Sequence, residues 1–120
     1  MDYRVQQAIA LIRGGSQQKL SVASLARAVG LSASRFQHLF KAETGVSPGQ
    51  YLHRFRMEQA RRLLETSYLT IEQIVLHTGM KDRSHFEREF KKSYGLTPTR
   101  YRAAVYQRGA AMRAGESAMK

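Results

Sequence analysis

"GVSPGQY", residues 45–51, reads as a glycine turn that runs straight into a helix start. "GLTPTRY", residues 95–101, has the same order: glycine, aliphatic, hydroxyl, proline, two further residues, tyrosine. A hydroxyl followed by proline is a helix-start signature. The hydroxyl caps the free backbone N–H groups, and proline has none to satisfy at the first helical position. A motif this specific, occurring twice in 120 residues, calls for a search for a longer repeat.

The repeat extends well upstream of both motifs. Val22, Leu25 and Gly30 match Ile71, Ile74 and Gly79 at an offset of 49. After one extra residue, Phe36, Phe40, Lys41, Gly45, Pro48 and Tyr51 match Phe86, Phe90, Lys91, Gly95, Pro98 and Tyr101 at an offset of 50. Each copy reads as a short helix, a tight turn and a longer helix. Ser21 and Thr70 are the first N-caps, with Thr70 and Gln73 spaced as a capping box. Apolar residues at 22, 25, 26 and 29, and at 71, 74 and 75, keep helical spacing. Gly30 and Gly79 end the short helices. Ser32 and Asp82 cap the longer ones, whose Phe36/Phe40 and Phe86/Phe90 pairs lie four apart on one face. Two helices joined by a glycine-containing turn, the second with an apolar inner face, form a helix-turn-helix.

Between the copies, Pro48 to about Glu65 is helical throughout, with Tyr51, Leu52, Phe55, Ala60, Leu63 and Leu64 available to both cores. Such a helix is ~27 Å long, against ~34 Å between successive major grooves on one face of B-DNA. An opening helix (about Asp2–Arg13) and a closing one (Pro98 to about Gln107) bring the count to seven. The expected fold is all-α, with seven helices in two helix-turn-helix subdomains joined by a long connector helix. The first subdomain takes residues 1–47, the connector 48–65 and the second subdomain 66–108, followed by a flexible tail over 109–120.

Charge points to the partner. Twenty Lys and Arg oppose nine Asp and Glu, a net charge of +11. The excess is spread along the chain: ten basic and four acidic residues over 1–65, ten and five over 66–120. A domain that accepts this self-repulsion is suited to a polyanion. No apolar run approaches the ~20 residues that span a bilayer, so no membrane is expected. The polar opening "MDYRVQQ" is not a cleavable leader. Cysteine is absent, which removes thiolate zinc sites and is compatible with the expected cytoplasmic location.

"SVASLARAVGLSASRFQHLFKAETGVSPGQYL", "RMEQARRLLE" and above all "FEREFKKSYGLTPTRYR" resemble the DNA-binding domain of the AraC/XylS family of bacterial transcription regulators. The resemblance covers about Asp2 to Arg102. It implies double-stranded DNA as partner and transcription regulation as role, with activation through RNA polymerase the commoner outcome. Full-length members of the family usually add a ligand-binding and dimerisation domain, for which 120 residues leave no room. The chain is therefore expected to be either an excised domain or a short regulator, monomeric by itself.

On the first recognition helix, Ser34, Gln37, His38 and Lys41 point away from Phe36, Leu39 and Phe40, with Arg35 at the flank. Gln37 suits adenine N6/N7, Arg35 guanine O6/N7, and Ser34 either. The family resemblance implies base contact at the positions of Ser34, Gln37 and His38, while Lys41 suits a phosphate. The second helix directs Ser84, Arg88 and Lys91 outward, with Arg83 and His85 on the flanks. Arg88 is the leading base contact, central on its helix and matching a family contact position, followed by His85 and Ser84. Lys91 and Lys92 are assigned to phosphates. Glu89 stands where the first copy has Leu39 and is expected to pair with a base on the connector such as Arg61 or Arg62, or else simply to be exposed. Glu87 is expected to pair with Lys91.

Because "SASRFQHLFK" and "DRSHFEREFK" differ, one chain should read two unlike half-sites, an asymmetric target of ~15–20 base pairs. Catalysis has little support. His38, His53, His77 and His85 are scattered without ligand spacing, and no phosphate loop or nucleophile motif occurs. Neither a metal nor a cofactor is expected, and no enzyme activity. The competing reading is a non-specific architectural or nucleoid protein held by phosphates alone, with a protein-interaction module for an acidic partner behind it. Gln, Ser, His and Arg on two exposed faces favour sequence-specific binding, since a phosphate binder needs only Lys and Arg.

Overall fold

In the computed structural model the described residues are 1–14 and 20–119, with side chains through 111. They form seven helices and no strand: α1 (Tyr3–Arg13), α2 (Val22–Ala28), α3 (Ala33–Thr44), α4 (Pro48–Thr66), α5 (Ile71–Thr78), α6 (Arg83–Tyr94) and α7 (Pro98–Met119). None is long and apolar enough to cross a membrane.

Capping sets the boundaries. The Asp2 carboxylate accepts from the Arg4 N–H at 2.8 Å, starting α1. Ser32 and Asp82 accept from the Arg35 and His85 N–H groups, starting α3 and α6. Thr70 and Gln73 form the expected reciprocal box. Two further boxes, Ser21 with Ser24 and Ser47 with Gln50, hold the starts of α2 and α4. Each such cap satisfies N–H groups that have no partner within the helix, worth about 1 kcal/mol. Gly45 (φ 84°) and Gly95 (φ 83°) end α3 and α6 in the left-handed conformation, where a Cβ would be penalised.

The repeated sequence builds two cores. The first buries Val5, Ala8, Ile12, Leu25, Ala26, Val29, Phe36, Phe40 and Leu52; the second buries Met57, Ala60, Leu64, Ile71, Ile74, Val75, Phe86 and Phe90. Phe40 meets Phe36 and Tyr51 edge-on at 5.7 and 5.5 Å between ring centroids. Phe90 meets Phe86 and Tyr101 at 5.8 and 5.4 Å. These are the favourable separations for aromatic pairs, about 1 kcal/mol each beyond burial.

The connector explains why two cores need only seven helices. Val5, Ala8 and Ile12 on α1 have the same spacing as Met57, Ala60 and Leu64 on the C-terminal half of α4, at an offset of 52. The repeat therefore begins one helix earlier than the two motifs indicate. Its offset falls to 49 because the α4–α5 link is four residues shorter than the α1–α2 link, while α4 runs one residue beyond the point that matches the end of α1. The N-terminal half of α4 meanwhile contributes Leu52 to the first core. One helix closes the first unit and opens the second.

The ends of two elements differ from the sequence reading. The closing helix, expected to stop at about Gln107, continues to Met119. Ala103, Ala104, Ala110 and Ala111 favour helix, and Gly109 is not in the left-handed conformation that would stop it. Lys120, at the end of the expected tail, lies outside the described residues. The connector runs one residue past Glu65, to Thr66.

Candidate nucleic-acid interface

The helix-turn-helix frame presents α3 and α6 outward. Their Phe pairs are fully buried, which fixes the rotation of each helix and so decides which side chains reach solvent. On α3, Ser34, Arg35, Gln37, His38 and Lys41 are all exposed. Two shallow depressions flank this face and meet at His38. One is lined by Arg4, Ser34 and Arg35, the other by Gln37, Lys41 and Ser47. His38 Nδ1 lies 2.9 Å from the Ser34 carbonyl oxygen. A carbonyl only accepts, so Nδ1 carries the proton and donates. Neutral His38 therefore offers Nε2 as an acceptor, while Gln37 offers both an acceptor and two donors.

On α6, Ser84, Arg88, Lys91 and Lys92 are exposed and His85 is half-buried. The structure thus assembles the seven candidate base contacts on two helices, Ser34, Arg35, Gln37 and His38 on α3 and Ser84, His85 and Arg88 on α6. Lys41, Lys91 and Lys92 lie toward the C-terminal ends of the same helices.

Two of the sequence-derived pairings are corrected. Glu87 does not pair with Lys91. Its Oε1 accepts from Arg83 Nε at 2.6 Å, one turn earlier on α6. The same guanidinium donates through Nη1 to Glu72 on α5. Arg83 is held further above its usual pKa by Glu87 first and Glu72 second. Glu72 lies below the usual carboxylate range, chiefly through its own backbone N–H at the start of α5 and then through Arg83. Nor does Glu89 pair with Arg61 or Arg62. It faces His53 on the connector, Oε2 to Nε2 at 3.8 Å. Arg61 instead binds Glu65 one turn away at 3.2 Å and lies over the Tyr94 ring. Packing direction explains both corrections. Residue 87 leans back toward the preceding turn and meets 83, and residue 89 sits on the edge that abuts α4 near its start.

Sequence reasoning missed the arginines that work inside the frame. Arg102 on α7 donates to the carbonyl oxygens of Leu64, Leu69, Ser67 and Leu63, at 2.6 to 3.5 Å, gathering the end of α4 and the α4–α5 link. Arg56 on α4 donates to the Leu20 carbonyl at 2.7 Å. Leu20 and Leu69 are equivalent at the offset of 49, so both units tie down the residue that leads into α2 or α5. The signal lay in the chain: Arg102 directly follows the repeated tyrosine. Its target, the free carbonyls of a helix end, was not visible.

A helix-turn-helix domain model matches residues 25–104. The arabinose operon regulatory protein of Escherichia coli (strain K12) is 34% identical over 109 residues, 90% of this chain and 37% of that protein. The xylose operon regulatory protein of the same strain is 35% identical over 101 residues, 84% of this chain and 26% of that protein. The chain thus spans about a third or less of these relatives. The DNA-binding domain of AdpA, a global transcriptional factor solved in complex with a target DNA, superposes with a TM-score of 0.84. It is 28% identical, over 89% of this chain and 96% of that one. The C-terminal domain of AraT, a response regulator from Geobacillus stearothermophilus, gives a TM-score of 0.81 at 30% identity, over 86% of each chain. With two helix-turn-helix units on one connector and these relatives, the chain belongs to the AraC/XylS-type helix-turn-helix family of transcription regulators.

Proposed function

We propose that the chain binds double-stranded DNA sequence-specifically, with α3 and α6 in adjacent major grooves, and that this binding regulates transcription. The observation that carries the reading is the pair of recognition helices with unlike exposed faces on one continuous 19-residue helix. At 1.5 Å per residue that helix is about 28 Å long, shorter than the ~34 Å groove repeat, so modest bending of the duplex accompanies simultaneous docking. Ser34, Arg35, Gln37 and His38 read one half-site; Ser84, His85 and Arg88 read the other. Lys41, Lys91 and Lys92 neutralise phosphates. The target is asymmetric and the domain binds it as a monomer. Activation by contact with RNA polymerase is the regulatory outcome proposed.

Selection of bound DNA from a random library tests the reading. Two unlike sequence blocks about one helical turn apart are expected. A palindrome protected by a dimer, or enrichment of no motif at all, would overturn it. The net charge of +11 supports a second reading, an architectural protein held by phosphates. The same selection decides between them, because phosphate contacts carry no sequence information.

A further inference from the structure

The Arg83 bracket has no counterpart in the first unit. At the repeat offsets, Glu72, Arg83 and Glu87 correspond to Ala23, Ala33 and Gln37. Three charged residues joined through the Arg83 guanidinium in one unit are thus replaced, together, by two alanines and an uncharged amide in the other. Of these, position 37 is assigned to base reading and position 87 is not. Glu87 nevertheless occupies the same place on its helix, one residue past the first buried Phe and beside the exposed Arg88. Its side chain is 37% exposed. Arg83 engages only Oε1, so Oε2 remains able to accept.

From this we infer that Glu87 is a specificity-determining residue that selects cytosine in the half-site read by α6, and that Arg83 is the residue that positions it. The inference rests on the sequence-specific reading above. An ionised carboxylate only accepts hydrogen bonds. The edges that the major groove presents are mostly acceptors too: guanine N7 and O6, thymine O4, adenine N7. Donors come only from cytosine N4 and adenine N6. In adenine the N6 donor sits beside N7, whose lone pair faces the second carboxylate oxygen, whereas cytosine carries no such neighbour on its own base. Glutamate therefore discriminates for cytosine where glutamine, with a donor and an acceptor, suits adenine.

Arg83 makes this arrangement workable in two ways. A bare carboxylate near the phosphates would be repelled, and the guanidinium offsets its charge locally. The guanidinium is itself anchored on Glu72 of the neighbouring helix, so the carboxylate is aimed before DNA arrives. Gln37 needs no such bracket because it carries no charge.

The test is selection from a random library with the full chain and its Glu87→Gln, Glu87→Ala and Arg83→Ala variants, each checked by circular dichroism and melting. The wild type is expected to prefer cytosine about tenfold at one position of the α6 block. Glu87→Gln should move that preference to adenine, and Glu87→Ala should equalise the four bases there, with every other position unchanged. Arg83→Ala should blunt the cytosine preference at that same position alone. A wild-type motif retained base for base by both Glu87 variants would overturn the inference while leaving the specific reading intact. A wild type that enriches no motif would overturn that reading and this inference with it.

Discussion

The two helix-turn-helix units solve one packing problem with the same aromatic pair and then brace their recognition helices by different means. In the first, α3 rests on Phe36, Phe40 and Tyr51, and Arg35 and Lys41 form no ion pair among the described residues. In the second, α6 has a comparable aromatic base, enlarged by Tyr94, and polar side-chain ties to two other helices. Arg83 joins it to α5, and Glu89 faces His53 of the connector. Behind it, Tyr101 donates to Glu65 at 2.8 Å and Arg102 gathers four carbonyl groups. The lesson is that equal cores do not imply equal faces. One unit leaves the polar side chains of its outward face exposed, and the other commits several to contacts on and between helices.

The sharpest way to break this comparison is to remove the shared part. Phe40→Ala and Phe90→Ala should each cost about 3–5 kcal/mol, since both rings are fully buried and truncation leaves a cavity that the surroundings fill only in part. Urea unfolding would read this, and markedly unequal losses would show that the cores are not equivalent. Next come the clamps. Arg102→Ala should cost about 2 kcal/mol by removing the side-chain donor of the Leu64 and Leu69 carbonyls, since those of Leu63 and Ser67 keep other donors, against about 1 kcal/mol for Arg56→Ala with its single bond. Similar losses for the two would remove the distinction drawn between them.

The reading faces should separate cleanly. Gln37→Ala and Arg88→Ala are each expected to cost about 1–3 kcal/mol on the preferred site and to relax preference in different halves of it. Binding assays on single-base variants of the site would reveal any overlap. The helix ends, by contrast, should behave alike. Gly45→Ala and Gly95→Ala each place a Cβ in open space, so only the left-handed backbone is penalised, about 1–2 kcal/mol in both cases. Thermal melts would show whether the two values agree.

The smallest effect is acidic. Glu72 has its pKa lowered in the fold, so its contribution is full above the ordinary glutamate range and is lost as pH falls through its lower folded value. Exchange of α5 and α6 amides should therefore rise at acid pH more than that of α2 and α3, whose equivalent position is Ala23. Equal acceleration in both units would count against an ionic brace.

Much of the fold was legible because capping residues, glycine stops and apolar periodicity are local. Ser32, Asp82, Gly45, Gly95 and the Phe pairs can each be interpreted within a turn or two of chain. The Met57–Ala60–Leu64 echo of α1 was legible in principle, but aliphatic substitution and a changed offset disguised it. The candidate site was legible as far as helix phase reaches: which side chains point outward follows from which face carries phenylalanine. Long side chains were less so. Arg83, Glu87, Glu89 and Arg102 each have several partners within reach along the chain.

The sequence by itself determined seven helices, their order, two helix-turn-helix units and the outward faces of α3 and α6. All of these rest on backbone preferences and on burying apolar stripes, which depend on neighbours close in the chain. Only the tertiary structure decided that the C-terminal half of α4 takes the place of α1 in the second core, that Arg83 spans α5 and α6, that Glu89 meets His53, and that Arg102 closes the end of α4. These contacts join residues as much as 39 positions apart. They depend on where helices come to rest against one another, and a charged side chain takes whichever partner that packing brings within reach.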